Sequence, residues 1–314
     1  MQKQLPPATY DALRPPAGPG YTFFESAGQH PFDPSRTDLD LANAWWLMDA
    51  AFLAYSAEPV VRDTYTRLGI PDQRLRWFSG AKTTQCYVVE FDDWILLAFR
   101  GTQIDNFWES VVDWSFDFRI ALVPDGRGHQ VHAGFNDAMN DVWDGVERHL
   151  RSLQGARAAR PLWITGHSLG AALATVAASR CAVPPDHLGL RATYTFGSPR
   201  VGDAAFARDI PGVVFRWQNN SDIVTSVPLE FIYTHAGQRV FIDNAGHLHT
   251  DLEAPQEEML RAARTSINVA AAHQLAGVLA QKTGDVVLPA FLADHAPVNY
   301  SILIWNCFDR AGRR

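Results

Sequence analysis

The stretch Leu162–Ala178 reads LWITGHSLGAALATVAA, and it restricts the possible folds more than any other part of the chain. It opens as a short apolar run of strand character, meets Gly166-His167-Ser168-Leu169-Gly170, and leaves as an alanine-rich segment of high helix propensity. A strand that becomes a helix within so few residues forces the residue at the apex, Ser168, into strained backbone. Side chains on either side of it would strike the strand or the helix, and glycines at 166 and 170 remove those clashes. The first turn of the helix adds unpaired N–H groups and the positive end of the helix dipole beside the serine. As five letters, G-x-S-x-G is only moderately specific. With a strand before it and a helix after it, the pattern reads as a nucleophile elbow. His167 is next to Ser168 in sequence but poorly aimed at it, and reads as structural.

The rest of the chain supplies a sheet for this elbow. QCYVVEF and WILLAFRG read as two strands joined by a tight turn at Asp92-Asp93. PLWIT, RATYTFG and VVFRWQN are further short strands, and FIYTHAGQRVFID has the pattern of a hairpin. Apolar residues return at helical spacing in DLDLANAWWLMDAAFLAYS, HAGFNDAMNDVWDGVERHLRSL, LGAALATVAASRCA and EEMLRAARTSINVAAAHQLAGVLAQ. Strands alternate with helices from about Gln85 to Asn219, which predicts an α/β fold with a mostly parallel central sheet and helices on both faces. Residues 1–36, rich in proline and glycine, read as an N-terminal arm docked through aromatics such as Tyr21, Phe23 and Phe24. Residues 37–314 read as a single domain.

With 314 residues, 47% hydrophobic and 19% charged, the chain can bury a sizeable core. Its net charge of −7 argues against a nucleic-acid partner, which requires a basic patch. Cys86, Cys181 and Cys307 are odd in number and widely spaced, which fits neither a disulfide framework nor a zinc site. There is no strong metal constellation and no glycine-rich phosphate or dinucleotide loop, so the chemistry at Ser168 is expected to need no metal and no cofactor. No apolar run approaches the ~18–20 residues of a transmembrane helix. MQKQLPPATYDALRPPAGPG lacks the apolar stretch of a conventional signal peptide. The expectation is a soluble chain, either cytoplasmic or exported without a leader.

GHSLGAALA, together with ILLAFRGTQ, VHAGF, YTFGSPRVGD and NNSDIVTSVP, resembles the fungal-type class 3 lipases of the α/β-hydrolase superfamily over roughly residues 40 to 305. The resemblance implies the α/β-hydrolase fold and ester hydrolysis. A serine hydroxyl is a poor nucleophile until a histidine takes its proton, and the histidine needs an acid to fix its tautomer. In this fold the order along the chain is Ser, then Asp or Glu, then His. Asp222 follows the strand VVFRWQN, opens a loop ending at Pro228, and matches the family's acid, with Thr225 where proline is frequent. Asp203 and Asp243 are the runners-up. His247, His249, His273 and His295 lie downstream. His273 falls in a helical stretch, and His247 with His249 would make a metal pair lacking a third ligand. His295 matches the family's D-H-x-x-x-Y signature, with Asp294 and Tyr300 in place. It is the expected base, with His249 in reserve.

The expected oxyanion donors are the backbone N–H of Leu169 and Thr102, which follows the strand end AFRG and matches the family's Ser/Thr oxyanion residue. Arg100 beside it reads as a structural ion-pair partner. In QIDNFWESVVDW, Ile104, Phe107, Trp108, Val111 and Val112 fall on one helical stripe, the position and character of the family's lid. A permanently docked surface helix has the same pattern. Phe116, Phe118, Ile120, Leu122 and Val123 continue the apolar character toward an acyl pocket. The implied function is a carboxylic ester hydrolase acting on acylglycerols through a Ser168-Asp222-His295 triad and an acyl-enzyme, with a lipid or ester substrate met at a lipid–water interface. The alternatives are a phospholipase, an esterase of soluble esters (feruloyl esters included), and a hydrolase-fold scaffold without catalysis.

Overall fold

The computed structural model describes residues 1–82, 84–101, 107–116, 121–155, 160–182, 187–228, 230–250 and 286–313. The strands are β1 (Leu75–Ser79), β2 (Gln85–Glu90), β3 (Ile95–Phe99), β4 (Leu122–Pro124), β5 (Gln130–His132), β6 (Leu162–His167), β7 (Leu190–Phe196), β8 (Val213–Asn219), β9 (Gln238–Ile242) and β10 (Leu248–His249). Eight of them form one sheet in the order β1-β2-β3-β6-β7-β8-β9-β10, and β4 pairs with β5 separately. Strands β3, β6, β7, β8 and β9 run parallel, while β1 and β2 at one edge and β10 at the other are antiparallel. Every residue of β3 and β6 is buried. Burial on both faces explains why these strands read as near-continuous apolar runs rather than alternating ones.

The helices are α1 (Tyr10–Leu13), α2 (Leu41–Leu53), α3 (Glu58–Arg67), α4 (Phe107–Phe116), α5 (Ala133–Asn140), α6 (Trp143–Gly155), α7 (Leu169–Arg180), α8 (Ala204–Arg208), α9 (Ala290–Ala293) and α10 (Pro297–Ala311). They cover both faces. On one, α2 and α10 pack over Trp163, Tyr194, Phe196 and Trp217; on the other, α5, α6 and α7 pack over Leu97, Phe99, Leu162 and Ile164. The pleat sends Trp163 into the first core and its neighbours Leu162 and Ile164 into the second. The mostly parallel sheet between two helical layers is therefore present as expected.

Three local expectations differ. Strand β1 pairs with β2 and was not anticipated. The stretch expected as one helix from His132 onward divides into α5 and α6. At the break, Asp141 turns its carboxylate to the Ala81 and Lys82 N–H groups at 2.9 and 2.8 Å. FIYTHAGQRVFID is not a hairpin: only β9 forms, parallel to β8, because Thr234 instead donates its N–H to the Gly202 carbonyl at 2.8 Å. The helical pattern around His273 lies outside the described residues.

The segment expected as an arm, residues 1–36, is tied down at several points. The Phe24 N–H donates to the buried Asp49 carboxylate at 2.7 Å. Tyr10 N–H donates to the Val286 carbonyl at 2.9 Å, and Leu288 N–H to the Ala8 carbonyl at 2.8 Å.

Candidate active site

Strand β6 delivers Ser168 at its C-terminal end, where α7 begins. The serine has φ 60° and ψ −127°, a left-handed backbone that costs about 1–3 kcal/mol and is retained only where its surroundings impose it. Those surroundings need the two glycines: a Cβ on Gly166 would collide with the Gly170 carbonyl, and one on Gly170 with the Phe99 carbonyl. The Ser168 N–H donates to the Phe196 carbonyl at 3.0 Å, which pins the elbow to β7.

His295 follows α9, and its N–H donates to the Leu292 carbonyl at 2.9 Å. Its Nε2 lies 2.8 Å from Ser168 Oγ. Its Nδ1 lies 2.9 and 3.0 Å from the two carboxylate oxygens of Asp222. A carboxylate only accepts, so Nδ1 carries the proton and Nε2 is left to receive one from the serine. Asp222 stands after β8 and opens a short 3-10 turn, Ile223–Ser226. Its Oδ1 accepts from the Val224 N–H at 2.9 Å and its Oδ2 from the Tyr300 hydroxyl at 2.7 Å. Tyr300, on α10, in turn accepts the Asn219 N–H at 2.9 Å. Asp222 and His295 are wholly buried, so each of these donors replaces water that the carboxylate has lost.

Asp294, next to His295, is half-buried and does another task. Its Oδ2 accepts from Asn220 Nδ2 and the Ser221 N–H, both at 3.0 Å, tying the loop of His295 to that of Asp222. Burial, and after it the charge of Asp222, push the Asp294 carboxyl up to about 6. His167 does not address Ser168. Its Nδ1 meets the Tyr55 hydroxyl at 2.9 Å and its Nε2 the backbone carbonyl of His295 at 2.8 Å.

The runners-up are engaged elsewhere. His249 Nε2 lies 3.0 Å from Asp243 Oδ2, and His247 Nδ1 3.4 Å from the same oxygen. Asp203 caps α8 through the Phe206 N–H at 2.7 Å. Leu169 is the first residue of α7, where the helix leaves its N–H without an intrahelical acceptor. Thr102 and Ile104 lie outside the described residues, as do Phe118, Ile120 and the Phe116 side chain. Phe107, Trp108, Val111 and Val112 are buried on the inner side of α4. The Phe107 ring runs within 10° of parallel to the His295 imidazole, centroids 6.3 Å apart. Tyr10 near the N-terminus fastens α4: Trp108 Nε1–H donates to the Tyr10 carbonyl at 3.1 Å, and the Tyr10 hydroxyl donates to Glu109 at 3.0 Å. Leu122 and Val123 are half-buried in β4, and Arg100 donates to the Gln85 side chain.

Among the described residues, no group of three or more His, Cys, Asp or Glu is placed to hold a metal ion, and no helix is long and apolar enough to cross a membrane. The three cysteines are free and buried. Sequence reasoning missed Tyr55 and the backbone of Asn219. Tyr55 sits in no motif, the task of Asn219 falls to its backbone rather than its side chain, and both become visible only when α2 and α10 close over the ends of β6 and β8.

Residues 96–232 match the family described as lipase (class 3). A secreted mono- and diacylglycerol lipase of Fusarium solani is 31% identical over 153 residues, 48% of this chain and 44% of that protein. One of Malassezia globosa is 30% identical over 190 residues, 56% of this chain and 61% of that protein. The matched stretch thus spans about half the length of these curated relatives. Among solved structures, the triacylglyceride lipase of Rhizomucor miehei superposes with a TM-score of 0.53 at 26% identity, over 67% of this chain and 84% of that one. The fold is that of the α/β-hydrolases, and the likeness is to the fungal-type class 3 lipases. One expectation is corrected: the relatives are named as secreted, which points to an extracellular setting and away from a cytoplasmic chain or leaderless export. That expectation rested on the lack of an apolar stretch in residues 1–20.

Proposed function

On its likeness to the fungal-type class 3 lipases, we propose that this chain is an extracellular serine carboxylic-ester hydrolase that acts on acylglycerols. The observation that carries the reading is the buried relay in which His295 stands 2.8 Å from Ser168 Oγ and 2.9 Å from Asp222. Ser168 Oγ attacks the ester carbonyl while His295 Nε2 takes its proton. Asp222 holds the tautomer and offsets the charge of the imidazolium, which then protonates the departing alcohol. Water, deprotonated by the same Nε2, releases the acyl group from Ser168. The negative oxygen of each tetrahedral intermediate falls to the Leu169 N–H and to Thr102, donors of a kind that are each worth about 10²–10³ in rate.

Residues 37–314 act as one hydrolase domain and residues 1–36 as an arm laid across it. Helix α4, with Ile104 before it, serves as the lid: its apolar side lies on the triad and would be exchanged for lipid at an interface. The relatives' names point to mono- and diacylglycerols as the acylglycerols to try first.

The test is fatty-acid release from mono-, di- and trioleoylglycerol emulsions, from phosphatidylcholine vesicles and from a soluble feruloyl ester, with Ser168→Ala as the blank. The proposal expects acylglycerol hydrolysis that vanishes in Ser168→Ala. Activity only on the phospholipid or only on the soluble ester would replace the acylglycerol reading with the corresponding one. No activity above the blank on any substrate would leave a non-catalytic scaffold.

A further inference from the structure

We propose that Tyr55 and His167 are positioning residues for this reaction, a buried pair that holds the backbone of His295 at the place from which its imidazole meets Ser168. The inference rests on the ester-hydrolase reading above and assigns work to the histidine inside the elbow motif, whose ring packs beside the His295 imidazole at 4.7 Å between centroids and whose nitrogens bond neither that ring nor Ser168 Oγ.

The donor accounting leaves one arrangement. The His295 carbonyl can only accept, so His167 Nε2, 2.8 Å away, must carry a hydrogen. His167 is wholly buried, and burial holds its pKa well below the ordinary histidine range, so the ring is neutral and carries only that one proton. Its Nδ1 is therefore an acceptor, and the hydrogen it accepts comes from the Tyr55 hydroxyl at 2.9 Å. Burial pushes the Tyr55 hydroxyl far up, so it stays protonated and able to donate. Tyr55 thus selects the tautomer of His167, and that tautomer is the one that can grip His295.

The grip is short in covalent terms. His167 is bonded to Ser168, so the nucleophile and the backbone of its base are joined through one side chain. The pair also touches the strand end that leads to Thr102: a Cβ on Gly101 would collide with the Tyr55 hydroxyl and lie 2.8 Å from the His167 carbonyl. Nucleophile, base and the approach to the oxyanion residue therefore meet at this pair. If the other tautomer formed, the Nε2 lone pair would face the carbonyl lone pairs of His295 and push the base away. A misplacement of about 1 Å can cost ~10² in rate.

The experiment measures kcat and KM on p-nitrophenyl butyrate, per serine titrated with diethyl p-nitrophenyl phosphate, for Tyr55→Phe, His167→Phe, His167→Gln and the double variant Tyr55→Phe/His167→Gln. Tyr55→Phe is expected to lose about 10–100-fold in kcat with KM little changed, the signature of a misplaced base. His167→Phe is expected to lose at least as much. His167→Gln should recover most of that loss, because its amide N–H reaches toward the same carbonyl and has no second tautomer. For that reason, adding Tyr55→Phe to His167→Gln should change little. A Tyr55→Phe enzyme with wild-type kcat, or losses that simply multiply in the double variant, would overturn the proposal. Should His167→Phe fail to fold, the Tyr55→Phe and His167→Gln pair carries the same test. A wild type no more active than Ser168→Ala would instead remove the parent reading and this one with it.

Discussion

The Nε2 atom of His295 lies 2.8 Å from the hydroxyl oxygen of Ser168, although the two residues are 127 positions apart in the chain. The competing base, His249, spends its Nε2 on Asp243 at 3.0 Å. We predict that His295→Ala lowers kcat on p-nitrophenyl butyrate by about 10⁴–10⁶, toward the Ser168→Ala level. His249→Ala should keep most of the wild-type rate. The reverse result would move the base to the β10 edge.

Tyr300 bridges Asp222 and the strand behind it, donating to Asp222 at 2.7 Å and accepting the Asn219 N–H at 2.9 Å. Tyr300→Phe removes one of the donors to a wholly buried carboxylate and strands a buried N–H. We expect a loss of about 1–3 kcal/mol in stability by urea unfolding, and a drop in kcat with KM nearly constant. Unchanged stability would mean that water reaches this pair.

Asp294 carries a pH signature of its own. Its carboxyl is raised from the ordinary 3.8 to about 6 by burial and by Asp222. Between those values the folded chain binds more protons than the unfolded one, so this group's contribution to stability falls as pH rises from about 4 to about 6. Asp294→Asn removes that fall. Relative to the wild type, the variant should gain in unfolding temperature between pH 4 and pH 7, and a difference that stays flat with pH would count against the shift.

Tyr10 holds α4 through a side chain that can be tested without touching Ser168, Asp222 or His295. The Tyr10 hydroxyl donates to Glu109, while its carbonyl takes the Trp108 indole N–H. Tyr10→Phe removes only the first bond, worth about 1 kcal/mol, or roughly fivefold in a closed-to-open equilibrium. If α4 works as a lid, the variant should be more active than the wild type on a short-chain ester below its critical micelle concentration. Equal ratios below and above that concentration would make α4 a fixed surface helix.

The elbow turn, the place of Asp222 after β8 and the mostly parallel sheet were legible because each depends on neighbours in sequence: Gly166 and Gly170 flank Ser168, and Asp222 follows an apolar run. The choice between His295 and His249 was less so. His295 and His249 both stand near apolar segments, and only the distance across the sheet separates them. Tyr55 could not be found at all, since its task depends on where the end of α2 lands against β6. The hairpin expected at 231–243 failed for a related reason: its alternating pattern is local, whereas Gly202 competes for Thr234 from another part of the chain. The break between α5 and α6 was invisible because apolar spacing runs through it, and the competing partners of Asp141 lie 59 and 60 positions away.

The central claim is that Ser168 is the nucleophile and His295 its base. The most direct test is mass spectrometry of the intact and digested chain after diethyl p-nitrophenyl phosphate treatment, with the released nitrophenolate counted. A single diethylphosphoryl group on the peptide carrying Ser168, one nitrophenolate per chain, and a much slower reaction in His295→Ala are the predicted results. A label on another residue, or ester hydrolysis that continues when Ser168 is fully labelled, would contradict the account.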